Sequence, residues 1–255
     1  MQFSVQHCGS FRFVEEGEDK KGILLLLHGL FGALSNFTEL IRHFSSQYKV
    51  VIPFLPIYTG NLSEANLDFL TEYVHKFVVQ MKYREIVLIG NSLGGHLALL
   101  YAQQYAENVR GMVLTGSSGL FENTMGDTFP QRGNYEFIKH KTEYTFYDPK
   151  TASKELIDEV FDIVNNRDKC MCVIAMAKSA IRHNMAEELP HIYVPTLLIW
   201  GKDDRVTPPF VAEDFKKLLP DSELFYIEQC GHAPMMEQPE EFNRILSDFL
   251  DRQNT

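Results

Sequence analysis

At 255 residues and 45% hydrophobic content, the chain is long enough to bury one large α/β core. Its formal charge of −10, with no run of Lys or Arg, excludes a binder of nucleic-acid phosphates, which needs clustered positive charge. Met1 to Ser10 lacks a basic stretch followed by an apolar one, and Ile23 to Leu30 is too short to span a bilayer. The expected protein is therefore soluble and cytoplasmic, with no membrane span, no nucleic-acid partner and a small molecule as its substrate; no oligomeric state is assigned. Cys170-Met171-Cys172 lacks the two-residue spacer of zinc and redox motifs, so Cys8, Cys170, Cys172 and Cys230 read as idle thiols. No metal and no organic cofactor is expected.

In chain order, Ile23 to Leu27 is a continuous apolar run that suits a central strand covered on both faces, and it ends in the loop His28-Gly29. Phe37, Leu40, Ile41 and Phe44 repeat at helical spacing behind a Ser35 cap, and Lys49 to Phe54 reads as the next strand. Leu67, Leu70, Val74, Phe77, Val78 and Met81 predict a long amphipathic helix, followed by a strand over Glu85 to Ile89. A helix opens after Ser92 with Gly94-Gly95, and Val109 to Thr115 is another strand.

The alternation stops over Ser117 to Pro190, which is read as a helical cap inserted after the sixth strand. Helices are expected over Ser153 to Asn166 and Asp168 to Arg182, with Leu156, Val160, Ile163 and Val164 on one face. Thr196 to Trp200 resumes the sheet, and Phe210 to Leu219, Leu224 to Ile227 and Pro239 to Leu250 predict helix, strand and helix. Strands alternating with helices give the fold class α/β, a mostly parallel open sheet with helices on both faces. The expected core is 1–116 with 191–255, and the cap is 117–190.

The strand ending at Ile89 runs into Gly90-Asn91-Ser92-Leu93-Gly94, which opens a helix. A serine on so tight a strand-to-helix turn is exposed above the sheet, and its neighbours two places away must be small because the turn brings helix and strand backbones together. Such a hydroxyl needs a base to take its proton and a third group to orient that base. Gly201-Lys202-Asp203-Asp204-Arg205-Val206 and Gln229-Cys230-Gly231-His232 both follow strand ends, on the edge of the sheet where ligands of open parallel sheets collect. Ser92, Asp204 and His232 are thus candidates for nucleophile, orienting acid and base. For the oxyanion, backbone N–H donors are expected from Leu93 and from the loop after His28-Gly29, at Leu30 in preference to Phe31.

Simpler readings stand beside these. Asp203 reads as an Asx-turn residue, His28 as a structural loop residue, Asn36 as a helix-entry residue and Arg182-His183 as a solvated helix end. Met171, Met176, Phe137, Tyr144 and Phe146 line an apolar pocket or simply pack the cap.

Through His28-Gly29-Leu30-Phe31-Gly32, Gly90-Asn91-Ser92-Leu93-Gly94-Gly95, Gly201-Lys202-Asp203-Asp204-Arg205-Val206-Thr207-Pro208 and Gly231-His232, the chain resembles the α/β-hydrolase superfamily. The resemblance implies a serine hydrolase with the acid at Asp204, three residues after Gly201. Gly119-Leu120-Phe121 and the ending from Cys230 through Phe242-Asn243-Arg244 are similar to the branch that hydrolyses carbon–carbon bonds of aromatic meta-cleavage products. That branch carries a cap arginine and tryptophan where this chain has Val160 and Phe161, and a tryptophan where it has Ala233. The resulting expectation is a carboxylesterase acting through an acyl-enzyme. The alternatives are a carbon–carbon hydrolase of that branch and a catalytically silent binding protein of the same fold.

Overall fold

The computed structural model describes residues 3–32, 34–123 and 131–253, less the side chains of Leu34 and Ser35. Among the described residues, eight strands form one sheet in the order β1-β2-β4-β3-β5-β6-β7-β8. They are β1 (Val5–Cys8), β2 (Phe11–Glu16), β3 (Ile23–Leu27), β4 (Lys49–Pro53), β5 (Ile86–Asn91), β6 (Val109–Thr115), β7 (Thr196–Gly201) and β8 (Ser222–Ile227). From β4 to β8 every neighbour is parallel, as the strand–helix alternation predicts, whereas β1 and β2 pair antiparallel at one edge.

Every residue of β3 and β5 is buried, because helices cover both faces of the sheet. One side holds Leu25, Leu27 and Leu88 with Phe77, Leu97 and Tyr101. The other holds Leu24, Leu26 and Ile89 with Phe37, Phe242 and Phe249. The helices are α1 (Thr38–Phe44), α2 (Leu67–Met81), α3 (Leu93–Gln104), α4 (Tyr135–Tyr144), α5 (Lys154–Asn165), α6 (Arg167–Arg182), α7 (Pro209–Leu218), α8 (Pro234–Glu237) and α9 (Pro239–Gln253). Asn66 caps α2 by accepting the Phe69 N–H, as a short polar side chain at that position should.

Several boundaries differ from expectation. The β1–β2 hairpin was not legible as apolar runs, since β1 is largely exposed and β2 alternates Phe11 and Phe13 inward with Arg12 outward. Phe37, the last residue of a 3-10 turn over Leu34–Phe37, occupies the N-cap position of α1, and the expected Ser35 cap lies outside the described side chains. Strand β5 runs two residues beyond Ile89 to Asn91, which delivers Ser92 directly to the helix start.

Between β6 and β7 lie α4, α5 and α6, the helical insertion after the sixth strand; residues 124–130 of it are outside the described set. Ser153 and Asn166 cap α5 and α6 with their side-chain oxygens, and Arg167 is the first residue of α6. Ile157, Val160, Ile163 and Val164 are buried, while Leu156 is half-buried. Val160, Val164 and Ile138 form a small cluster against which Phe31, Phe137, Leu156 and Phe161 pack. The insertion thus lays apolar side chains on the loop that carries Leu30. Met176 and Phe146 are core residues, whereas Met171 and Tyr144 face solvent.

Candidate active site

Ser92 sits at the N-cap position of α3 with φ 55° and ψ −120°, a left-handed backbone that is costly for a residue with a Cβ. The turn leaves no room beside it. A Cβ on Gly94 would lie 1.9 Å from the Leu27 carbonyl oxygen, and one on Gly90 would lie 2.4 Å from that of Gly94. The strain is held by surrounding hydrogen bonds: Ser92 N–H donates to Thr115 O at 3.2 Å, and Ser92 O accepts from Ser118 N–H at 3.1 Å. Among the described residues the Ser92 hydroxyl makes no hydrogen bond.

Asp204 and His232 are brought together from the loops after β7 and β8. His232 Nδ1 lies 2.9 Å from Asp204 Oδ2 and 3.2 Å from Oδ1. Asp204 is 3% exposed and its other lone pairs are filled: Oδ1 accepts the Val206 and Thr207 N–H groups at 2.8 and 2.9 Å, and Oδ2 accepts the Thr207 hydroxyl at 2.9 Å. Burial pulls the His232 pKa down, but the charge and hydrogen bond of Asp204, with Glu122 and Glu237 adding negative charge, outweigh it, so the net direction is upward from 6.5. Asp203 is exposed and contributes its backbone N–H to Cys230 O at 2.8 Å. The Asx turn expected at Asp203 belongs instead to Asp204, whose carboxylate binds the N–H two residues on.

The two halves of the site are joined through Asn91, whose amide donates to Thr115 O and to His232 O, each at 3.0 Å. Gly116 fills the space between, since a Cβ there would lie 2.8 Å from His232 Nδ1. Across from Ser92, the loop after β3 turns sharply, with Gly32 N–H donating to Gly29 O at 3.0 Å. The Leu30 and Leu93 N–H groups meet no acceptor among the described residues. For Leu93 this follows from its place as the first residue of a helix. The Tyr58 hydroxyl donates to Leu30 O.

His28 is buried with Nε2 accepting the Leu55 N–H at 3.4 Å and Nδ1 lying 2.9 Å from Gly29 O, which requires the proton on Nδ1. Burial lowers its pKa, so it is a neutral structural ring. Arg182 is exposed, as expected of a helix end, but His183 is not simply solvated: its Nδ1 lies 3.1 Å from Nε2 of buried His96 on α3. Burial, then the neighbouring His183, pushes His96 down to about 3.

Asn91, Thr207 and Glu237 were not singled out from the sequence. Asn91 and Thr207 lie inside motifs read for other residues, and Glu237 follows His232 by five places without any periodic signal. Cys170, Cys172 and Cys230 are buried, Cys8 is half-buried, and all are free. Among the described residues no cluster of side chains suits a metal, and no helix is long and apolar enough to cross a membrane.

A mostly parallel sheet of this order, with a strained serine elbow after β5 and an acid–histidine pair after β7 and β8, defines the α/β hydrolases. Residues 22–239 match the alpha/beta hydrolase fold family, and the chain belongs to it. Monoacylglycerol lipase ABHD6 of Bos taurus is 26% identical over 96% of this chain and 79% of its own. A 2-hydroxy-6-oxononadienedioate/2-hydroxy-6-oxononatrienedioate hydrolase of a Pseudomonas species is 30% identical over 65% of this chain and 62% of its own. Among solved structures, MGS-MChE2, an alpha/beta hydrolase enzyme from the metagenome of lagoon sediments at Mar Chica, Morocco, aligns with TM-score 0.81 and 42% identity over 99% of this chain and 100% of that one.

Proposed function

We propose that the chain is a serine hydrolase of neutral esters, a carboxylesterase with Ser92 as nucleophile, His232 as base and Asp204 as the orienting acid. The observations that carry this reading are the strained Ser92 elbow after β5, whose hydroxyl makes no hydrogen bond among the described residues, and the 2.9 Å His232–Asp204 pair formed from the loops after β7 and β8. Asp204 holds the ring with its proton on Nδ1, leaving Nε2 free to accept a proton.

In the reaction so assigned, Ser92 Oγ attacks the ester carbonyl while His232 Nε2 takes its proton. The oxyanion forms between the Leu30 and Leu93 N–H groups, which meet no acceptor among the described residues. His232 returns the proton to the leaving alcohol, and an acyl-Ser92 remains. Water, deprotonated by the same ring, then releases the acid. The insertion over 117–190 is read as a cap, because its apolar side chains Phe137, Val160 and Phe161 share a cluster with Phe31 of the oxyanion loop. Those side chains suit an apolar acyl group, and the lipase named among the relatives is in keeping with ester chemistry.

The test is labelling with a fluorophosphonate, followed by peptide mapping, beside hydrolysis of p-nitrophenyl esters of increasing chain length. Label at Ser92 is expected, with loss of label and a fall of about five to six orders of magnitude in kcat for Ser92→Ala. Label at another serine, or none, sinks the proposal.

A further inference from the structure

The carboxylate of Glu237 collects three backbone N–H groups from two separate parts of the chain. Oε1 accepts from Gly231 at 3.0 Å and from Ala233 at 3.3 Å, the two residues that flank His232. Oε2 accepts at 2.7 Å from Tyr147, which lies in the insertion just after α4. The same stretch of the insertion takes the backbone of the histidine itself, for His232 N–H donates to Thr145 O at 3.0 Å. Contact there is close: a Cβ on Gly231 would lie 2.7 Å from Thr145 O and 2.9 Å from Tyr147 N.

Building on the proposed role of His232, we infer that Glu237 is a positioning residue that locks the Thr145–Tyr147 turn of the insertion to both sides of the base. The orientation of the imidazole is then set by two anchors. Asp204 fixes the ring through Nδ1, and Glu237 with Thr145 fixes the backbone that carries the ring. It follows that this end of the insertion does not swing away during turnover, since its movement would drag the base off the nucleophile. A displacement of about 1 Å at such a group costs on the order of 10²-fold in rate.

A carboxylate is suited to this place for two reasons. Three converging N–H donors need an acceptor-only group with several lone pairs, which a glutamine cannot match because its nitrogen only donates. The charge also acts on the ring: Asp204, Glu122 and Glu237 are the anionic groups that hold His232 upward, while burial first, and then the charge of Asp204, push Glu237 upward against its three hydrogen bonds.

Glu237→Gln and Glu237→Ala, purified and checked for fold by thermal melting, supply the test. The readouts are the His232 imidazole titration by NMR, and kcat and KM for a p-nitrophenyl ester from pH 5 to 9. Glu237→Gln keeps one oxygen for Gly231 and Ala233 but loses the link to Tyr147 and the charge. It is expected to lower the His232 midpoint, to move the acid limb of kcat/KM to lower pH by the same amount, and to reduce kcat with KM within about twofold. Glu237→Ala should lower kcat by about 10²-fold. A folded Glu237→Gln protein with the parent's kcat overturns the inference, whether or not its His232 midpoint moves. A parent chain that fails to label at Ser92 removes instead the reading on which the inference rests.

Discussion

Asn91, the residue before Ser92, donates its side-chain amide to the carbonyl oxygen of His232 at 3.0 Å, across 141 positions of sequence. The second amide hydrogen goes to Thr115 O, also at 3.0 Å, so one buried side chain ties the ends of β5 and β6 to the loop after β8. The elbow and the histidine loop are therefore not merely adjacent but bonded.

Asn91→Ala is expected to leave the His232 carbonyl unpaired in a buried setting, which costs about 1–3 kcal/mol. Chemical denaturation should show a loss of that size. Activity should fall as well, through kcat more than KM, because the backbone carrying the proposed base loses its tie to the nucleophile. Full activity with unchanged stability would mean that Gly231 and Thr145 hold the loop without Asn91.

The neighbouring carboxylates separate cleanly. Asp204 is buried with its oxygens committed to His232, Val206 and Thr207, whereas the Asp203 side chain is exposed. Asp204→Asn should cost on the order of 10⁴ in kcat by supporting the wrong imidazole tautomer. Asp203→Asn should stay within about tenfold, as an exposed turn residue would. Steady-state kinetics on both variants decides the matter, and reversed losses would assign the acid to Asp203.

These site residues differ in how far the chain alone exposes them. Ser92 and the His232 loop are legible because the chemistry needs fixed local surroundings: glycines at 90 and 94 where backbones approach, and loops directly after buried apolar runs. The central strands are legible for a related reason, since burial on both faces demands uninterrupted apolar residues, as in Ile23 to Leu27. The edge hairpin is not: β1 is exposed, and its signal reduces to the Gly9-Ser10 turn and the alternation of Phe11 and Phe13. Asn91, Glu237 and His96 are hidden for another reason. Their partners, His232, Tyr147 and His183, lie 141, 90 and 87 positions away, and no local pattern records contacts of that range.

The pH dependence follows from the direction of the His232 shift. A base works only when unprotonated, so kcat/KM should rise with pH through the His232 pKa and be lost below it. Burial alone would place that midpoint low, but Asp204, Glu122 and Glu237 together carry it above 6.5. A profile in a salt-matched buffer series should therefore show half-maximal activity above pH 6.5. In Asp204→Asn the residual activity should have its acid midpoint at lower pH, because the nearest negative charge is gone. A midpoint well below 6.5 in the parent protein would contradict this account of the site's electrostatics.

Substrate class is decided by what an anionic substrate would meet. A buried carboxylate without a cation or several donors costs several kcal/mol, so a dienoate needs a partner under the insertion. The side chains gathered there against Phe31 are Phe137, Ile138, Leu156, Val160, Phe161 and Val164, all apolar. Arg167 and Arg182 are exposed at the two ends of α6. The field near the base is also unfavourable, because Glu122 and Glu237 add to Asp204 on the same side of the charge balance. Neutral esters of short or medium acyl chains are therefore expected to exceed a carboxylate-bearing meta-cleavage product by at least about a hundredfold in kcat/KM, or roughly 2.7 kcal/mol of transition-state binding. Assays of both substrates on one preparation measure the ratio directly. A preference for the dienoate, lost in Arg167→Ala or Arg182→Ala, would show that α6 turns a cation inward during turnover and would make carbon–carbon hydrolysis the better assignment.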